Sequence, residues 1–287
     1  MKLVKKTDSN RNFVKKDLYP LVNEVVKRLG IPKFREVAFL FTENPKEAFL
    51  DIANPERMYS GRRYDKMEYW LSESVSSFSV QEGNKVKIMI NLKDPNIKNR
   101  GYATGLIAHE FMHTIVKSEG IEPRISEVGK KQWPFIIKTL ERIGENYEQV
   151  LNDLVKLVTF FILCMKDLIV DTILIENGFE EEIFEHKRLA SASGSKRIKV
   201  GRLNLARAMI LYIGYNNMWI PFKLKSPKYL KELKRPFGIP DLVEKECKKV
   251  VKELEDVRPG VKNHEKEIRE VVRAGLDAYR KMYRKLK

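Results

Sequence analysis

Two neighbouring stretches, KVKIMINL at 85–92 and GLIAHEFMHTIV at 105–116, decide the fold of this chain. The first stretch alternates for a few residues and then becomes continuously apolar, which predicts a strand inside a sheet. The second belongs to a helical pattern that runs from about Tyr102 to Ser118, with Gly120 as a stop signal. A strand followed closely by a long helix therefore stands at the centre of the predicted fold.

The remaining pattern changes from strands and loops to helices along the chain. Residues 16–30 form a helical stripe, and EVAFLFTE at 36–43 is rich in strand formers. The segment 44–84 is irregular and indicates loops with room for one more strand. Helical patterns then follow at 124–143, 146–176, 203–218, 239–256 and 262–286. We predict an α+β fold, in which a small mixed sheet and the histidine-bearing helix precede a mostly helical C-terminal half.

The length of 287 residues is enough for one large domain, or for a catalytic domain with an appended helical one. We expect a catalytic domain at 1–220 and a helical C-terminal extension at 221–287. Since 43% of the residues are hydrophobic, a sizeable core can form and large-scale disorder is excluded.

The net charge of +16 is large enough to attract nucleic acid, acidic substrates or an anionic surface. Charge alone does not choose among these partners. A composition rich in Lys and Glu is also typical of proteins from organisms that grow at high temperature, where the charges form ion pairs on a solvated surface.

Several features favour a cytoplasmic protein. The isolated Cys164 and Cys247 imply neither a disulfide framework nor a cysteine-based zinc site. The N-terminus is basic but no apolar run follows it, so we expect no signal peptide. The longest apolar stretch, Leu154–Ile175, contains four charges, which cost about 2.5 to 3.5 kcal/mol each in a bilayer. We therefore expect a buried helix of a soluble protein and no membrane span.

His109, Glu110 and His113 form the pattern H-E-x-x-H within the predicted helix. The i, i+4 spacing places both imidazoles on one helix face, where they can share a metal ion. Two neutral imidazoles suit one Zn²⁺ ion, and Glu110 can take the proton from a zinc-bound water that attacks a carbonyl. The alternative to a metal site is a pair of core histidines that flank a buried Glu.

This stretch resembles the zinc-binding consensus of the zincin metallopeptidases, and the strand that precedes the helix matches their usual order. The resemblance implies a peptidase. The zincin subgroups differ in the residue that provides the third metal ligand. Val116 and Glu119 stand where metzincins have glycine and histidine. Gln132 and Trp133 exclude the shortest gluzincin spacings.

The later motif DLIVD provides two acidic residues, Asp167 and Asp171, on one face of an apolar helix. Carboxylates in such a place need a cation or strong donors. By position the pair resembles the gluzincin E-x-x-x-D helix, which implies Asp167 as ligand and Asp171 as the partner of an imidazole N–H, or the reverse. Glu176 and Glu119 are the alternatives for the ligand. Alternatively, the two aspartates pair with basic residues of the C-terminal part.

Two functions follow as expectations. The first is a zinc-dependent peptidase that acts on a peptide or protein, in which His186, Tyr212 or Tyr215 could stabilise the developing oxyanion. The second is a catalytically silent zinc protein that binds nucleic acid or a protein partner through its basic surface. The presence of Glu110 favours the first, because a purely structural zinc site has no use for a base.

Overall fold

The structure is a computed structural model that describes residues 1–8, 10–45, 47, 76–192, 200–232, 240–258 and 264–286. It has two compact units, of which the first comprises Met1–Glu119 with Asn177–Leu189 and the second comprises Gly120–Glu176 with Ala190–Lys287. The predicted α+β class is confirmed, with one mixed sheet and a mostly helical C-terminal half. The domain division predicted near residue 220 stays a prediction; that residue lies inside the helix Leu205–Lys225.

The sheet of the first unit has the order β1-β2-β4-β3. Its strands are β1 (Lys2–Thr7), β2 (Glu36–Thr42), β3 (Ser77–Glu82) and β4 (Lys85–Asn91). The first, second and fourth strands run parallel, and β3 pairs with β4 in the antiparallel sense. The predictions for β2 and β4 are confirmed. The sequence pattern did not reveal β1, which has a lysine-rich sequence of the kind that protects an exposed sheet edge.

One face of the central strands is fully buried and the other is buried in part. On one face, Phe39 of β2 and Ile88 of β4 are completely buried, and the Phe39 ring lies 6.1 Å from the ring of Phe111 in the histidine-bearing helix. On the other face, Met89 packs against Phe78 and other side chains of the sheet. This burial on two faces explains the continuous apolar run at the end of β4.

Among the described residues, three longer helices belong to the first unit. Two short helical turns, Arg11–Phe13 and Val14–Leu18, lead into α1 (Tyr19–Leu29). The helix α2 (Arg100–Ser118) carries the H-E-x-x-H pattern and packs against α1. The chain then enters the second unit, where it forms α3 (Ile121–Lys130), α4 (Trp133–Ile143) and α5 (Tyr147–Glu176). The chain then returns to the first unit with α6 (Glu180–Ala192), which we did not predict.

All of the regular secondary structure described in the second unit is helical. Beyond α6 it contains α7 (Leu205–Lys225), α8 (Asp241–Glu255) and α9 (Glu265–Lys285), with short 3₁₀ turns at Arg202–Asn204 and Pro227–Glu232. The apolar α5 lies in its core, where Phe161 is completely buried, and packs against α7 and α9. In the described part of the chain, no helix combines the length and apolar character that crossing a bilayer requires.

Candidate metal centre

His109 and His113 lie one turn apart on α2, with their Nε2 atoms 3.1 Å apart and their rings nearly perpendicular. Two nitrogen ligands of a tetrahedral zinc ion, each about 2.0 to 2.1 Å from the metal, are about 3.3 Å from each other. The two imidazoles therefore fit the donor chemistry and the spacing of a shared divalent cation. In the metal-free protein, the same separation allows one ring to donate a hydrogen bond to the other.

The helix that carries this pair is held firmly on most of its faces. Its first turn is capped by Asn99, whose Oδ1 accepts a 2.9 Å hydrogen bond from the backbone N–H of Tyr102. Ile107, Ala108 and Phe111 are completely buried around the histidines. A helix that is fixed in this way keeps the two rings in one mutual orientation, which a metal site requires.

Glu110 is buried, and its carboxylate is anchored to the sheet. Its Oε1 accepts a 2.7 Å hydrogen bond from the Ser77 hydroxyl at the start of β3. The bond restrains the carboxylate of the residue that directly follows His109 in the sequence. A general base is expected at this position of the motif. The local pattern could not indicate Ser77, because it belongs to a segment that we predicted to be mostly loop.

His186, one of three residues predicted as oxyanion donors, is brought to the histidine pair by α6. Its ring centroid lies 5.8 Å from that of His109 and 5.2 Å from that of Tyr102. The approach of α6 requires a glycine at position 105, since a Cβ there would stand 2.2 Å from the carbonyl oxygen of Glu182. The first unit thus brings three of the four histidines of the chain together.

Tyr102 contacts His186 with the edge of one ring against the face of the other and is itself fixed by hydrogen bonds. Its hydroxyl donates a 2.6 Å bond to Oδ2 of Asp94 and lies 3.3 Å from the Ser76 hydroxyl. Burial, together with the hydrogen bond to Asp94, raises the pKa of Tyr102 above its usual value. The phenol therefore remains a neutral donor at physiological pH. Sequence reasoning did not find this contact.

The four acidic residues considered as metal ligands differ from one another in their surroundings. Asp167 and Asp171 lie one turn apart on α5 in the second unit, where Asp171 is buried and Asp167 is partly exposed. Glu176, at the end of the same helix, pairs with Lys225 at 2.6 Å. Glu119 follows the last turn of α2 and is exposed.

The two tyrosines predicted as oxyanion donors lie on α7 in the second unit. Tyr212 belongs to the apolar core of that unit. Tyr215 is buried with its ring 6.2 Å from that of Trp219. Among the three residues predicted for this role, His186 is therefore the one that the first unit places beside a predicted ligand.

Comparison of the chain with protein-family models, with curated proteins and with solved structures finds no match.

Proposed function

We propose that this protein is a zinc-dependent hydrolase of peptide bonds, with His109 and His113 as metal ligands and Glu110 as general base. The observation that carries the proposal is the 3.1 Å separation of the two Nε2 atoms on a buried helix that also bears Glu110. Two neutral nitrogen donors one helical turn apart favour Zn²⁺ over the oxygen-seeking Mg²⁺ and Ca²⁺.

We propose Asp167 as the third ligand, with Asp171 as the acceptor that orients a ligand imidazole. By its position in the sequence, Asp167 resembles the acidic ligand of the gluzincin E-x-x-x-D helix. Two histidines and one carboxylate are also the ligand set of many hydrolytic zinc sites, which keep a fourth position for water or substrate. Glu176 is less suitable, because Lys225 already neutralises its carboxylate.

A zinc ion held by these residues would act as a Lewis acid, which would make water more acidic and a peptide carbonyl more electrophilic. Glu110 accepts the proton of the attacking water and returns it to the leaving amine. Ser77 restrains one carboxylate oxygen of Glu110, so less reorganisation is needed when the proton moves. Glu110 is largely shielded from solvent, which strengthens the electrostatic interactions of its carboxylate.

The test combines metal analysis with peptide cleavage by the full chain. We expect one zinc ion per purified wild-type molecule and loss of that ion from His113→Ala. Glu110→Gln should retain the zinc and reduce cleavage of a quenched fluorescent peptide library about 100-fold to 10,000-fold. His264→Ala is the matched control, because His264 is a buried histidine of the second unit, and this variant should keep its zinc.

Two results would overturn the proposal. One is a wild-type protein that retains no zinc after reconstitution and dialysis. The other is a zinc-loaded wild type that cleaves no library member and behaves like Glu110→Gln, which is the result expected of a catalytically silent zinc protein.

A further inference from the structure

A basic groove lies between α4 and α9, entirely within the second unit. It encloses about 220 Å³ and is lined by Phe135, Lys138, Thr139, Arg142, Arg273, Leu276 and Asp277. This volume is below the roughly 300 to 1,000 Å³ of pockets that enclose a whole small molecule. The groove is therefore suited to hold part of an extended ligand.

The lining of the groove has surplus positive charge. Lys138, Arg142 and Arg273 are exposed, and within the described residues none of these three side chains forms an ion pair. The acid in the lining, Asp277, is neutralised by Arg280 at 3.0 Å. Three cations on two facing helices thus point to an anionic ligand.

Arg273 and Phe135 form a stacked pair that gives the groove a second property. The guanidinium carbon lies 4.6 Å from the centroid of the Phe135 ring, which restrains the guanidinium on the groove wall. A restrained planar cation of this kind can stack against a nucleic-acid base as well as contact a phosphate. An acidic peptide has no aromatic base at each residue to stack on this surface.

We propose that the groove binds single-stranded nucleic acid, with Lys138 and Arg142 contacting phosphates and Arg273 stacking against a base. The concave shape suits a chain lying between two helices, whereas a membrane surface would require a flat or convex basic face. This binding site is independent of the proposed zinc centre, and its test requires no catalytic activity.

The experiment measures binding of the full chain to a fluorescein-labelled oligothymidylate of about 16 nucleotides by anisotropy over a salt series. Simultaneous Lys138→Gln, Arg142→Gln and Arg273→Gln changes remove the two proposed phosphate contacts and the stacking arginine. The slope of log affinity against log salt should then become less negative by about 1.4 units, at about 0.7 for each phosphate contact. Arg273→Lys keeps the charge and should weaken binding at least fivefold, because the lysine ammonium has no planar face to stack against a base.

A matched control removes the same charge elsewhere in the second unit. Lys245, Lys249 and Lys252 are exposed on α8, and their combined change to Gln should leave affinity within about twofold of wild type. The proposal is overturned if wild type fails to bind, or if the α8 variant loses as much affinity as the groove variant. Displacement of the oligonucleotide by poly-glutamate at equal charge concentration would also overturn it, in favour of an acidic peptide.

Discussion

The Ser77 hydroxyl donates a 2.7 Å hydrogen bond to Oε1 of Glu110, which joins the edge strand β3 to the helix that carries both histidines. The contact crosses from sheet to helix and fixes one oxygen of the proposed general base. A carboxylate that rotates freely would reach its working orientation for only part of the time. Ser77 is therefore a positioning residue in the proposed hydrolase.

Ser77→Ala is expected to lower the rate of peptide cleavage about tenfold while leaving the zinc content unchanged, because the base loses its restraint but not its carboxylate. The measurement is kcat and KM on one peptide, with zinc determined on the same samples. Ser79→Ala is the control, since Ser79 lies two residues along the same strand and accepts a bond from Lys117. Equal losses of activity in the two variants would indicate damage to β3 rather than to the base.

Gly105→Ala is expected to destabilise the first unit by about 1 to 3 kcal/mol, because overpacking moves α2 and α6 apart. The new Cβ would stand 2.2 Å from the carbonyl oxygen of Glu182 and 2.8 Å from Cβ of His186, and neither atom is the free end of a side chain. Since His186 would be displaced with α6, peptide cleavage should fall as well. Urea unfolding monitored by circular dichroism gives the change in the free energy of unfolding.

Gly101→Ala is the matched substitution on the same helix. Its nearest neighbour would be Cγ of Glu185 at 3.2 Å, so a shift of a few tenths of an ångström in a side chain hydrogen-bonded to Asn99 and Arg188 would relieve the contact. The variant should therefore lose clearly less stability than Gly105→Ala, whose new Cβ meets the backbone at 2.2 Å. A similar loss of stability in both variants would contradict the steric explanation.

Local patterns explain which parts of the fold and site could be predicted from sequence. The pairing of His109 with His113 depends only on helical spacing, and β4 is marked by its own apolar run. The contacts of Ser77 and His186 join segments far apart in the chain, for which no local pattern exists. The helix α6 was missed because its sequence lacks a clear apolar stripe; its place in the first unit depends on Gly105.

Stability in acid should depend on His264, which is buried at the start of α9 with neither ring nitrogen hydrogen-bonded to a described residue. Burial lowers the pKa of His264 below its usual value near 6.5, and the attraction of Glu267 offsets part of this effect. His264 therefore binds a proton more weakly in the folded protein than in the unfolded chain. The contribution of His264 to stability is complete above about pH 6.5 and is lost as pH falls towards the lower folded pKa.

His264→Leu removes this proton-binding site, so the free energy of unfolding of the variant should decline less than that of wild type between about pH 6.5 and pH 5. Urea denaturation at several pH values measures the difference. His113→Leu would be a poor control because it alters the proposed metal site, so the comparison uses His264→Gln, which is also unable to titrate. Parallel pH profiles for wild type and both variants would exclude His264 as the source of acid sensitivity.

Asp167 and Asp171 should differ in what their replacement does to zinc. An amide is a poor zinc ligand, so Asp167→Asn should lose the ion on dialysis, as His113→Ala does. Asp171→Asn should keep a site that binds zinc about 10-fold to 100-fold more weakly, because an imidazole loses its orienting acceptor but no ligand is removed. Glu176 lies on the same helix as the two aspartates and pairs with Lys225 of α7. Glu176→Gln breaks this ion pair and should leave zinc affinity unchanged. Competition with a zinc-binding dye measures all three, and the opposite ranking of the two aspartates would assign the ligand role to Asp171.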